Sequence, residues 1–154
     1  MSATLKRNTE IWTGPEKHIA FAINGDGVMS GGFTDQVLER WPELDKIGPK
    51  PMGWVFDKIV GESNWTNGHS SSWTKQLHAM VCRMSTDLSR TPSFITACLD
   101  LLDVPDDEPI AVLLPGAGAI GRSQGADVDA IYDAIAKSKK TCVVYTYSRE
   151  LTRA

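Results

Sequence analysis

The sequence predicts an α/β fold built on a largely parallel sheet. Three observations carry this: apolar runs of strand length alternate with stretches of helical period, two of these runs end in glycine-rich turns, and each turn leads into a helix. At 154 residues, the chain is long enough to bury a single core without disulfide or metal, so one domain spanning residues 1–154 is expected.

The elements follow in order. Thr4 to Trp12 alternates weakly and reads as an edge strand closed by Gly14-Pro15. His18 to Ile23 is a short apolar run suited to a buried strand. Phe33, Val37, Leu38 and Trp41 fall at helical spacing until Pro42 stops the helix. Gly48 to Gly53 is a loop, and the run W-V-F-D-K-I-V between Gly53 and Gly61 is a strand. Glu62 to Trp73 is polar and without period, a surface loop in which Trp65, His69 and Trp73 could fold over a pocket as a lid.

Leu77 to Met84 is apolar on both faces, as expected of a central strand. Thr91-Pro92-Ser93 starts a helix whose apolar face is Phe94, Ile95, Cys98, Leu99 and Leu102. An acidic turn, Asp103 to Pro109, precedes a buried strand, Ile110 to Leu114. Asp127 to Lys140 reads as a helix capped by Asp127, with Val128, Ile131, Ile135 and Ala136 inward and lysines 137, 139 and 140 as a solvated last turn. Thr141 to Tyr147 is the last strand.

Composition narrows the function classes. The net charge is −3 and the cations are scattered, which argues against a nucleic-acid partner that would need them clustered. No stretch reaches the ~18–20 apolar residues needed to span a membrane, and the first ten residues lack the apolar core of a secretory signal, so a cytoplasmic protein is expected. Cys82, Cys98 and Cys142 are odd in number, widely spaced and set in apolar elements; they read as buried thiols of a reducing compartment. His18 and His78 lie at strand positions and read as packed or hydrogen-bonded residues. No metal set is expected.

The two glycine turns carry the chemistry. Asn24 to Phe33 and Pro115 to Gly125 each follow a strand and precede a helix, so backbone N–H groups and helix starts converge where an anion could sit. In largely parallel sheets such loops gather at the carboxyl ends of the strands, where ligands bind. Gly116, Gly118 and Gly121 match G-x-G-x-x-G, yet only one helix and one strand remain downstream, too little for a dinucleotide half, and Glu150 lies beyond the expected spacing of about 20 residues. The turn is a phosphate cradle without being a Rossmann fingerprint. Asp26, between glycines, could polarise a water or simply shape the turn, and Arg122 could pair with a phosphate or lie on the surface.

The segment H-I-A-F-A-I-N-G-D-G-V-M-S-G-G-F, with its helix ending at Trp41-Pro42, resembles the first ligand loop of macro domains. P-I-A-V-L-L-P-G-A-G-A-I-G is similar to their phosphate loop, and the whole is similar to small macro-like proteins of bacteriophages. The resemblance implies a three-layer, macro-domain-like α/β/α fold with a mixed, largely parallel central sheet. It implies an ADP-ribose-type ligand, with Asn24 at the distal ribose and a site made of Ile23, Asn24, Gly27, Val28, Met29, Ser30, Gly31, Gly32 and Phe33 from the first turn. Pro115, Gly116, Ala117, Gly118, Ala119, Ile120, Gly121 and Arg122 complete it from the second. Glu10 and Glu16 are the acids it leaves for reading adenine.

Asn24 and Asp26 are the candidate catalytic residues. The departures from the family pattern, Ser30 in place of a glycine and no acid between Gly116 and Gly121, favour a protein that sequesters an ADP-ribose-based immune signal made by host TIR enzymes. An ADP-ribosyl hydrolase or ADP-ribose 1″-phosphate phosphatase is the alternative. No cofactor is implied, and a homo-oligomer is compatible.

Overall fold

A computed structural model describes residues 2–29, 32–60, 75–117, 121–147 and 151. Its strands are β1 (Ser2–Arg7), β2 (His18–Asn24), β3 (Val55–Val60), β4 (Lys75–Arg83), β5 (Ile110–Leu113) and β6 (Thr141–Thr146). Its helices are α1 (Gly32–Arg40), α2 (Thr91–Leu101) and α3 (Val128–Ala136), with 3-10 turns at Pro42–Lys46 and Arg122–Gln124. The six strands form one sheet in the order β1-β6-β5-β2-β4-β3. Every pairing is parallel except that of β3 with β4, which makes β3 an antiparallel edge.

Period-two alternation divides the core into two faces. Ala20, Met80, Cys82, Ile110 and Val112 point to one side, where Ile95, Leu99, Ile131 and Ile135 of α2 and α3 meet them. Ile19, Phe21, Leu77, Ala79 and Val81 point to the other, against Val37 of α1 and Leu44 of the following 3-10 turn. The result is the expected α/β/α layering around a mixed, largely parallel sheet. All three cysteines are buried and free.

Several boundaries differ from the sequence reading. The first strand ends at Arg7, because Asn8 turns the chain through a left-handed φ of 54° and Ile11 and Trp12 then bury themselves on the α1 face. Pro42 does end the α-helix, and it opens a 3-10 turn that buries Leu44. The third helix stops at Ala136, four residues early, with Asp127 accepting from the N–H of Ala130 at 3.1 Å as its N-cap. Lys140 is not part of a solvated helix end: it is buried, donating to the carbonyl of Val104 and pairing with Asp106 at 3.2 Å. Glu62 to Trp73, with its lid reading, lies outside the described residues.

His18 and His78 are hydrogen-bonded, as their strand positions suggested. They form a chain at the amino-terminal end of β2: Asp57 contacts His78 Nδ1, His78 Nε2 lies 3.0 Å from His18 Nδ1, and His18 Nε2 lies 2.9 Å from Glu108.

Candidate functional site

The sheet order places the two glycine turns side by side. Parallel β2 and β5 are direct neighbours, so both turns leave the sheet at the carboxyl-terminal ends of its strands. Between them lies a cavity of about 570 Å³.

The first turn is held by its own polar side chains. Asn24 ends β2 just after a register shift against β4, and its Nδ2 donates to the carbonyl of Val28 at 2.7 Å. That bond fixes which end of the amide is oxygen, and the oxygen is left buried without a partner. Gly27 adopts a φ of 84°, where a side chain would be strained and would press on Pro49. One oxygen of Asp26 accepts from the N–H of Val28 at 3.3 Å, and the other accepts from Ser85 N–H at 3.1 Å and Oγ at 2.6 Å. The Ser85 hydroxyl, helped by these N–H groups, holds the Asp26 carboxyl below its ordinary value. Asp26 therefore ties the turn to the segment after β4, and it does not line the cavity.

Val28, Met29 and Phe33 form the wall on the α1 side. Phe33 is backed by Trp12, whose ring stacks on it at 5.0 Å and 15°, with the Arg40 guanidinium 4.1 Å from the Trp12 ring centre on an adjoining layer. Ile23 is buried in the core beneath, and supports this wall from behind without reaching the cavity.

The second turn brings Pro115, Gly116, Ala117 and Gly121 to the opposite wall. Gly116 has a φ of 79°, and a Cβ there would lie 2.6 Å from that of Ala126. The Gly121 carbonyl accepts from the N–H groups of Gln124 and Ala126, both at 3.0 Å, which closes the turn. Among the described residues, the N–H groups of Met29, Gly116 and Ala117 donate to no partner. Ser30, Gly31, Gly118, Ala119 and Ile120 lie outside the described residues, as does the side chain of Arg122. Gly32 opens α1.

Neither acid expected near adenine reaches the cavity. Glu16 is buried, accepts from the Tyr145 hydroxyl at 2.6 Å and pairs with Lys6 at 3.7 Å; Glu10 accepts from the N–H of Trp12 at 3.3 Å. Each already has a structural partner that the sequence could not reveal.

The cavity also contains residues that sequence reasoning missed: Arg83, Ser85, Gln124, Tyr145 and Tyr147. Arg83 is the last residue of β4 and pairs in register with Asn24. A signal was available, since a charged residue closing an apolar strand parallel to the glycine-turn strands emerges at the same carboxyl-terminal end. Burial lowers the Arg83 pKa, but a guanidinium starting above 12 stays charged. Tyr147, just past β6, is 61% exposed and offers its ring at the mouth.

No protein-family model and no curated protein matches the sequence, whereas solved structures share its fold. The macrodomain of Mycobacterium tuberculosis DarG superposes with a TM-score of 0.59 at 16% identity, over 94% of this chain and 99% of that one. The macrodomain of Thermus aquaticus DarG gives 0.55 at 15% identity, over 93% and 97%. A chain described as alphavirus P23pro-zbd gives 0.59 at 16% identity over 97% of this chain, which spans only 22% of its length. The fold is that of a macrodomain.

Proposed function

We propose that this protein binds an ADP-ribose-type nucleotide in the cavity between the two turns and holds it intact. The observation that carries the reading is the convergence of both glycine turns on one cavity, with N–H groups on each that donate to no partner among the described residues. A diphosphate spanning the turns would accept from Met29 on one side and from Gly116 and Ala117 on the other, near the positive end of α1. The unpartnered oxygen of Asn24 asks for a donor, which a ribose hydroxyl supplies. Tyr147, exposed at the cavity, would offer its ring to the base. A volume of about 570 Å³ is in the range of small-molecule sites.

Retention is favoured over hydrolysis by what lines the cavity. Among the described residues, the lining includes no carboxylate, histidine, lysine or cysteine, which leaves Tyr145 and Tyr147 as its candidates for general acid–base work. Taken with the resemblance to phage macro-like proteins, this makes the role the sequestration of an ADP-ribose-based defence signal of the TIR type in the host cytoplasm.

The test is to incubate the purified protein with ADP-ribose, ADP-ribose 1″-phosphate and cyclic ADP-ribose isomers, then release bound nucleotide by heat and weigh it. Intact nucleotide at about one per chain is the expected result. Product in excess of protein would make it a hydrolase or phosphatase, and no retained nucleotide would overturn the binding reading.

A further inference from the structure

We infer that the Asp57–His78–His18–Glu108 chain holds one proton more than two neutral imidazoles carry, and that this proton latches the turn before β5 to the sheet. The chain has three contacts, and each needs one proton between its two atoms. Ionised carboxylates only accept, so Asp57 requires the proton of His78 Nδ1 and Glu108 that of His18 Nε2. Two neutral rings arranged in this way would turn the lone pairs of His78 Nε2 and His18 Nδ1 on one another at 3.0 Å. No water fits between atoms so close, and the two side chains are only 0% and 5% exposed. A third proton, on His18 Nδ1, removes the conflict and completes every contact. A fourth would set two N–H groups face to face, so three is the number that satisfies the chain. The extra proton belongs to the rings, because imidazole is a stronger base than a carboxylate and that of Glu108 is 36% exposed to water.

The charges packed around the chain suit an added proton. Asp103, just after α2, is a further acid whose charge reaches His78. Asp100 of α2 is committed to the Ser138 hydroxyl and the N–H of Lys139. The neighbouring cations are directed elsewhere: Lys58 of β3 and Lys75 of β4 alternate to the other face of the sheet, where they meet Glu43 and the Gly14 carbonyl. Lys140, at the start of β6, is tied to Asp106 and the Val104 carbonyl, and Lys17 is exposed. The folded chain thus keeps a proton that an unfolded histidine releases around pH 6.5. The stability this supplies is lost as pH rises until the folded chain also gives the proton up. One contact must then break. The exposed end is the cheapest to open, so Glu108 lets go of His18 and frees the turn that leads into β5.

Nitrogen-15 and proton spectra of the histidine rings in the folded wild-type chain test this. At about pH 7, three of the four ring nitrogens of His18 and His78 should carry protons, with His78 Nε2 the bare one. Raising the pH should remove the proton from His18 Nε2, and the backbone signals of Asp106, Asp107 and Glu108 should shift with the same midpoint. Glu108→Gln separates the proton from the contact, because an amide can donate to His18 Nε2 where a carboxylate cannot. The variant satisfies all three contacts with two ring protons, so His18 Nε2 should be bare at about pH 7 and the joint transition lost. A melting curve establishes that E108Q folds, and the wild-type proton count stands without it. Two ring protons in the wild type at about pH 7, or a joint transition that persists in folded E108Q, would overturn the inference. Turn signals that ignore the loss of the ring proton would overturn the latch.

Discussion

Asn24 and Arg83 end adjacent parallel strands as register partners, and one cavity receives both side chains. The first offers a buried acceptor that receives no hydrogen bond, and the second a guanidinium held by carbonyl and amide oxygens, with no carboxylate in an ion pair with it among the described residues.

Asn24→Ala removes the acceptor and also the 2.7 Å bond to Val28 that holds the turn. Affinity for ADP-ribose should fall at least tenfold, about 1.4 kcal/mol, and the fold should lose roughly 1 kcal/mol. Titration calorimetry and urea unfolding read the two effects separately. An unchanged affinity would remove Asn24 from the site.

Gly116→Ala is expected to destabilise for two reasons, a left-handed φ and a Cβ pressed against Ala126. The cost should be roughly 1–3 kcal/mol. Pairing it with Ala126→Gly relieves the contact but not the backbone strain, so the double variant should recover only part of the loss. Full recovery would show that the conformation of the turn is not strained by a side chain.

His78 favours its neutral form. Burial pushes its pKa below the ordinary value of 6.5, with Asp57 working in the other direction. Its proton belongs on Nδ1 facing Asp57, leaving Nε2 to accept from His18. Because the unfolded chain takes up a proton that the folded His78 refuses, this residue makes stability fall as pH drops through about 6.5. Nitrogen-15 spectra at pH 7 to 8 should show an unprotonated Nε2. His78→Leu should cost roughly 2–4 kcal/mol, since it strands His18 and Asp57.

The thiols set the alkaline limit. Burial raises Cys98 to about 11 and Cys142 to about 12, and Cys82 higher still. Their unfolded counterparts lose protons near pH 9, so stability is lost as pH rises above that point. Lys75 opposes this: burial lowers it to about 8, so folding releases its proton between there and 10.5. Three thiols against one lysine leave a net loss of roughly 2 kcal/mol between pH 9 and 10. Urea unfolding under reducing conditions measures it, and a variant with all three cysteines changed to alanine should reverse the slope.

The parts of the fold that were legible in the sequence are those set by local periodicity. Ile19, Phe21 and Ile23 mark β2, Ile95, Cys98 and Leu99 mark α2, and the glycines that follow β2 and β5 mark the turns. What escaped depends on partners far along the chain. Lys140 continues the helical lysine pattern, yet Asp106 and the Val104 carbonyl draw it inward. Glu16 looks free until Tyr145 arrives from the last strand. Arg83 and Gln124 are single polar residues with no motif, and only the strand order shows that they meet in the cavity.

The ring stack behind Phe33 has an optical consequence. Phe33 lines the cavity on one side and lies against the indole of Trp12 on the other, so a fluorophore sits one aromatic layer from any occupant. Its Nε1–H donates to Gln36 Oε1 at 2.7 Å, on the helix whose first turn borders the site. A molecule that shifts Phe33 or the start of that helix alters the polarity and quenching around the indole. The protein thus carries a built-in emission reporter of its own cavity, and Trp12→Phe identifies how much of the signal it supplies.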